Sequence, residues 1–236
     1  MSSVDSCMRS PIRLALLLAA AWFVVTSVLA AEPVARATPS PSRWSADIAA
    51  FTAADLRQGL QPGGVLFLGS SSIRLWDDLE MQFSTLPVVI KRGFGGAKLS
   101  DCVHYLDRLV IPHRPRLVLV YAGENDLAEG ETADEVLRQF AALVDGVHAV
   151  LPQTRIAFIS IKPSPARVRL MPEIRRANAL VRQYVATAPN TDFVDVFAPM
   201  LDGDGQPRRE LFRADALHLN AKGYALWKSV IAPHLS

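Results

Sequence analysis

The chain carries, in order, three consecutive serines (Ser70, Ser71, Ser72), a glycine-rich turn from Arg92 to Gly96 (R-G-F-G-G), an amide at Asn125, and a carboxylate and an imidazole three residues apart at Asp215 and His218. A serine hydroxyl is a weak nucleophile until a base takes its proton, and imidazole is the usual base. The imidazole in turn needs a partner on its other nitrogen to hold its tautomer and orientation. A tetrahedral oxyanion needs donors fixed in advance, which the backbone N–H groups of a glycine turn and a side-chain amide supply. These are the parts that acyl transfer requires. Each signal is weak alone, because serines after strands cap helices, Asn-Asp pairs make turns, and isolated histidines serve structure. Their joint appearance at successive strand ends favours catalysis.

Those strand ends are expected from short apolar runs, at residues 65–68, 87–90, 117–121, 156–161 and 193–196. Between them, Val136, Phe140, Leu143, Val144 and Val147 fall at helical spacing, as do Ile174, Ala177, Leu180, Val181, Tyr184 and Val185. Thr132 with Glu135 fits a capping box, Pro172 fits a first helical turn, and Asn220 fits the cap of a last helix through Ile231. Runs that are apolar throughout belong to strands buried on both faces, and βα alternation gives a parallel sheet with helices on both sides. In such a sheet, ligands sit beyond the carboxyl ends of the strands, where strand order reverses. The residues there are Gly69 to Ser72, Arg92 to Lys98, Gly123 to Asp126, Lys162 to Arg167, and the loop holding Asp215 and His218. The segment Lys162-Pro-Ser-Pro-Ala-Arg167, with Arg169 behind it, reads as a stiff polar rim suited to a sugar or polar alcohol. Met200, Leu201, Leu211 and Phe212, between Phe197 and Phe212, are the residues that could line an apolar groove.

Of 236 residues, 50% are of the AVILMFWYC set and 20% are charged, which supports one sizeable core. A net charge of +2 gives no basic excess, so nucleic acid is not an expected partner. Arg9 and Arg13 precede an apolar run from Leu14 to Val28 and a small-residue site ending at Ala30. Residues 1–30 therefore read as a signal peptide and the protein as exported, periplasmic or extracellular. The alternative is an uncleaved membrane anchor over residues 14–31. Residues 31–43 read as a Pro/Ser/Ala-rich linker and residues 44–236 as the domain. Cys7 lies in the leader, which leaves Cys102 without an internal disulfide partner and reads it as a buried helix residue. His104, His113, His148 and His234 are scattered without ligand spacing and read as surface or capping groups. Asp202-Gly-Asp204-Gly205 opens like a calcium loop but lacks a glutamate at the twelfth position, so it reads as a turn. The G-F-G-G turn fits neither nucleotide-binding fingerprint, and Gly69-Ser-Ser71-Ser-Ile73 is not the G-x-S-x-G elbow.

Four ordered blocks resemble the GDSL-type esterases and lipases, also called SGNH hydrolases. They are Phe67 to Trp76 (F-L-G-S-S-S-I-R-L-W), Arg92 to Gly96, Tyr121 to Asp126 (Y-A-G-E-N-D) and Asp215 to Asn220 (D-A-L-H-L-N). The resemblance runs from about Val65 to Pro233. It implies a three-layer α/β/α sandwich with a five-stranded parallel sheet, the flavodoxin-like SGNH hydrolase fold. It also implies that Ser71, two residues after Gly69, is the nucleophile, His218 the general base and acid, and Asp215 the carboxylate that orients it. The Ser71 amide, Gly96 and Asn125 would form the oxyanion hole. Ser70 stands where the family usually has aspartate, and Lys91 where many members have asparagine. The implied activity is a serine esterase that cleaves carboxylic esters through an acyl-serine intermediate, with no metal and no organic cofactor; residues 1–30 make it an exported one, and the polar rim with no lid-sized loop evident points to short acyl groups. A small-molecule or glycan ester is the implied substrate, acetyl esters of sugars included. The alternatives are an O-acyltransferase acting on a glycan and a non-catalytic glycan- or acyl-binding domain. A membrane partner would follow only from an uncleaved N-terminal segment, and oligomeric state is left open.

Overall fold

A computed structural model describes residues 43–235, so the segment read as a signal peptide at 1–30, and all but the last residue of that read as a linker at 31–43, lie outside the described residues. Five parallel strands, β1 (Val65–Gly69), β2 (Val89–Gly93), β3 (Leu117–Tyr121), β4 (Arg155–Ile159) and β5 (Thr191–Val194), form one sheet in the order β2-β1-β3-β4-β5. The helices are α1 (Ser45–Gln58), α2 (Ser71–Arg74), α3 (Leu79–Gln82), α4 (Leu99–His104), α5 (Leu106–Leu109), α6 (Glu124–Ala128), α7 (Ala133–His148), α8 (Met171–Val185) and α9 (Ala221–Ile231).

The period of two along a strand splits the interior into two cores. Leu66 and Leu68 of β1, Val118 and Val120 of β3, and Ile156 and Phe158 of β4 pack with α4, α5, α7 and α8 on one face. Val65, Phe67, Leu117, Leu119, Tyr121, Ala157 and Ile159 pack with Trp76, Tyr224 and Trp227 on the other. Every residue of β1 and β3 is buried, as their unbroken apolar runs require. The result is the three-layer α/β/α sandwich expected from the sequence. Thr132 and Glu135 form the capping box of α7, Pro172 sits in the first turn of α8, and the Asn220 side chain accepts from Gly223 N to cap α9.

Several boundaries differ from the sequence reading, each for a physical reason. At the sheet edge, β2 begins at Val89 rather than Pro87, which has no N–H to give the ladder, and runs on through Lys91 and Arg92. Their charges are tolerated because Lys91 Nζ donates to Trp76 O at 2.7 Å and Arg92 pairs with Asp55. The last ladder partner of β4 is Val194, and beyond it the Ile161 N–H turns to Asn178 Oδ1. On β5, the strand ends before Asp195, whose Oδ1 accepts from Phe197 N and Ala198 N. The sequence reading had no element before β1, and α1 fills that place; only Ile48 of its residues is fully buried, so its apolar stripe is faint. His113 is a correction: it is buried beside Arg92 and Asp55, with Nε2 3.0 Å from Arg92 Nη2, rather than at the surface. Met200, Leu211 and Phe212 are buried in one core, and Leu201 packs, partly buried, against the other. Asp202 Oδ1 accepts from Asp204 N and Gln206 N, which makes the acidic segment a turn.

The sheet packs most tightly at the end of β1. Gly69 lies opposite Gly93 of β2 and Tyr121 of β3, and a Cβ on Gly69 would stand 2.0 Å from the Tyr121 carbonyl oxygen. Backbone against backbone cannot yield as a flexible side chain can. Gly69→Ala is expected to cost more than about 3 kcal/mol, which lowers the melting temperature by about 6–12 °C for a domain of this size. Thermal unfolding followed by circular dichroism checks it, and a shift within error of zero would contradict this account of the sheet.

Candidate active site

Strand order reverses between β1 and β3, and the loops after β1, β2 and β3 leave the same edge of the sheet from residues in register. The chain stays tied to that edge past the strands. Ser70 N donates to Tyr121 O at 3.0 Å, and Phe94 N donates to Gly69 O at 2.9 Å. Ser71 follows as the first residue of α2, whose position is held from outside by Tyr224, its hydroxyl donating to Ser72 O at 2.9 Å.

Of the three serines, Ser71 is the one whose hydroxyl meets the imidazole: Ser71 Oγ is 3.0 Å from His218 Nε2. Ser70 and Ser72 are buried, and Ser72 Oγ has no hydrogen-bond partner among the described residues. His218 Nδ1 is 2.7 Å from Asp215 Oδ2. Asp215 Oδ1 accepts from the backbone N–H groups of Leu217 and His218, both at 2.9 Å. The His218 side-chain hydrogen bond, with those two N–H groups behind it, holds the Asp215 carboxyl well below the usual carboxylate range. Asp215 therefore stays ionised and acceptor-only toward Nδ1. The loop reaches this shape through Ala216, a non-glycine residue at a positive φ of 57°.

On the neighbouring loop, Gly96 occupies the turn that follows β2, at a φ of 77° that favours glycine. Arg43 Nη2 donates to Gly96 O at 2.6 Å, and a Cβ on Gly96 would come equally close to that nitrogen. Asn125 lies in the first turn of α6, and its Nδ2 donates to Ala97 O at 3.0 Å, which joins it to the Gly96 turn. Asp126 braces the same junction, accepting from Leu99 N and Gly123 N at 2.9 and 3.0 Å. Burial pushes the Asp126 carboxyl up to about 6 although those N–H groups favour its charge. With the Ser71 hydroxyl, the His218 imidazole and the Asp215 carboxylate hydrogen-bonded in sequence, and the Gly96 turn and Asn125 amide on neighbouring loops of the same sheet edge, the site can carry acyl transfer.

The sequence reading missed what lies beneath Asn125. Lys162 and Ser164 are buried, so the first half of the segment after β4 is not part of a polar rim, whereas Arg169 is exposed. Lys162 forms an ion pair with buried Glu124, which also accepts from Tyr121 Oη at 2.7 Å and from Ser164 Oγ at 3.1 Å. Burial pushes the Glu124 carboxyl up, but Lys162 and Arg167 outweigh it and bring the group below its ordinary value. Burial pulls the Lys162 ammonium down, with Glu124 opposing. The signal was in view, since Glu124 directly precedes Asn125 and Lys162 directly follows the apolar run at 156–161. Cys102 is fully buried in α4, where burial and the nearby Asp126 and Asp101 raise its thiol well above the ordinary range. Among the described residues, no group of three or more His, Cys, Asp or Glu could hold a metal ion. A cavity of about 520 Å³ lined by Phe51, Asp55, Arg92 and His113 includes none of Ser71, Gly96, Asn125, Asp215 and His218.

A family model described as GDSL-like Lipase/Acylhydrolase family matches residues 58–226. Platelet-activating factor acetylhydrolase IB subunit alpha1 of Bos taurus is 30% identical over 166 residues, which cover 68% of this chain and 69% of the relative. Among solved structures, a GDSL-like lipase from Bacteroides thetaiotaomicron superposes with a TM-score of 0.67 at 24% identity, covering 82% of this chain and 95% of the other. A carbohydrate esterase family 3 structure from Talaromyces cellulolyticus gives a TM-score of 0.59 at 18% identity, covering 73% and 96%. At these identities the structural likeness speaks to the fold.

The geometry around Asp215 predicts a particular failure for Asp215→Asn. The amide oxygen must keep facing the Leu217 and His218 N–H groups, so the amide NH2 faces His218 Nδ1 and forces the proton onto Nε2, the wrong tautomer for accepting the Ser71 proton. A fall in kcat/KM of about 10³- to 10⁴-fold with an unchanged fold is expected for such a change. Steady-state ester hydrolysis measures it, and a loss of less than tenfold would contradict the arrangement.

Proposed function

The chain belongs to the GDSL-like lipase/acylhydrolase family and is an ester-hydrolysing enzyme, and from that premise we propose that it is an exported serine esterase for short acyl groups. The observation that carries the mechanism is the Ser71–His218–Asp215 relay, at 3.0 and 2.7 Å. Ser71 Oγ attacks the ester carbonyl as His218 Nε2 takes its proton, and Asp215 stabilises the imidazolium. The carbonyl electron pair moves onto the oxygen, which the Ser71 and Gly96 amides and Asn125 Nδ2 stabilise. Collapse of the intermediate expels the alcohol, protonated by His218, and leaves an acyl-serine. Water then attacks with His218 as base, and the acid departs as Ser71 regains its proton.

Three observations support short acyl groups. Met200, Leu211 and Phe212, three of the four residues that could have lined a tail groove, are taken up by one core, and Leu201 packs, partly buried, against the other. The interior next to Asn125 is filled by the buried, charged Glu124–Lys162 pair, which leaves no apolar pocket there for an alkyl chain. The bovine relative is by name an acetylhydrolase. Acetyl esters of sugars fall within the same class, and the carbohydrate esterase among the structural neighbours is consistent with them. Export rests on the charged, apolar and small-residue order of residues 1–30; among the described residues, no helix is long and apolar enough to cross a membrane.

Rates on p-nitrophenyl acetate, butyrate, octanoate and palmitate test this reading. We expect kcat/KM to peak at acetate or butyrate, with acid released in the absence of any acceptor alcohol. A maximum at octanoate or longer would overturn the short-acyl reading. Release of p-nitrophenol that requires a sugar acceptor, and that yields the acylated sugar in place of free acid, would make the enzyme a transferase, and no release at all would make it a binding domain.

A further inference from the structure

Arg167 makes two contacts that the acyl-transfer scheme above leaves unused. Its Nη1 donates to Glu124 O at 2.9 Å, and its Nη2 donates to Asn125 Oδ1 at 3.1 Å. On the other side of the same amide, Asn125 Nδ2 donates to Ala97 O. The two neighbours leave the amide one orientation. A guanidinium can only donate and a carbonyl can only accept, so a flipped Asn125 would set carbonyl against carbonyl and NH2 against guanidinium. One Nδ2 hydrogen is spent on Ala97 O, which leaves the other for an oxyanion. A full positive charge on Oδ1 also draws electron density away from Nδ2, which makes that remaining N–H a stronger donor.

We propose that Arg167 is a positioning residue for the oxyanion hole, fixing and polarising the Asn125 amide; the proposal rests on reading Asn125 as an oxyanion donor. The support for Arg167 is built into the fold. Its Nη1 is 3.5 Å from Glu124 Oε1, and that carboxylate is pinned in turn by Lys162, Tyr121 and Ser164. Its backbone departs from helical geometry within the 3₁₀ segment Pro165–Leu170, at φ −121° and ψ 28°. The preceding Ala166 N donates to Ala216 O at 3.0 Å, in the loop that carries Asp215 and His218. The same short segment thus touches both halves of the site. Its guanidinium is largely sheltered, with 20% of the side chain exposed, so water screens the interaction only in part.

A double-mutant cycle tests this. Arg167→Met keeps the aliphatic stem and removes the guanidinium; kcat should fall about 10- to 100-fold, a fraction of what loss of a whole oxyanion donor costs, with KM little changed. Arg167→Lys keeps the charge but not the fork and should fall between wild type and Arg167→Met. In an Asn125→Ala background, Arg167→Met should have no further effect on kcat. If Arg167→Met does not fold, the same cycle is run with Arg167→Lys. Wild-type kcat in the Arg167 variant, or an equal loss in both backgrounds, overturns the proposal while leaving the oxyanion reading intact. Wild-type kcat in Asn125→Ala itself would instead overturn the oxyanion reading, and the proposal with it.

Discussion

The backbones of β1 and β3 approach each other at Gly69 so closely that the space a Cβ would need is occupied by the Tyr121 carbonyl. That approach sets where three loops begin. Ser71 is two residues past Gly69, Gly96 three past its partner Gly93, and Asn125 four past its partner Tyr121. Because the strands end in step, a nucleophile, a backbone turn and a side-chain amide emerge on one edge without long connections. The two tryptophans and Tyr224 below α2 belong to the core that backs this edge, so packing and site geometry share residues.

The Asp215–His218 pair reaches the edge differently, from a loop with no strand beneath it. Its shape comes from local hydrogen bonds, with Asp215 accepting two N–H groups within three residues, and from the exchange between Ala166 N and Ala216 O. A three-residue step from carboxylate to imidazole makes this half of the relay nearly independent of the sheet. Only the distance from His218 to Ser71 depends on how the loop sits, and α9, packed through Tyr224 and Trp227 beneath α2, fixes that relation.

Much of this was readable from the sequence where side-chain chemistry and position agree. The apolar runs of β1 and β3 sit in the middle of the sheet, and the Thr132 and Asn220 caps act within three residues of themselves. Edge strands were harder: β2 carries Lys91 and Arg92 because one side of it meets solvent and α1 rather than another strand. Hardest were the buried charges. Lys162 and His113 read as surface groups because charged and titratable side chains usually are, and nothing marked Glu124 as buried. Their burial depends on partners 38 residues away for Lys162 and Glu124, and 58 for His113 and Asp55, which only the strand order brings together. The three serines were ambiguous by type, and the distance to His218 separates them.

The central claim is that Ser71 becomes acylated, and mass spectrometry of the protein after reaction with a fluorophosphonate, a reagent that mimics the tetrahedral intermediate, tests it most directly. The account predicts one adduct per chain, mapped by fragmentation to Ser71 and lost in His218→Ala. An adduct on Ser70 or Ser72, or an unmodified chain that still hydrolyses esters in the presence of the reagent, would contradict it.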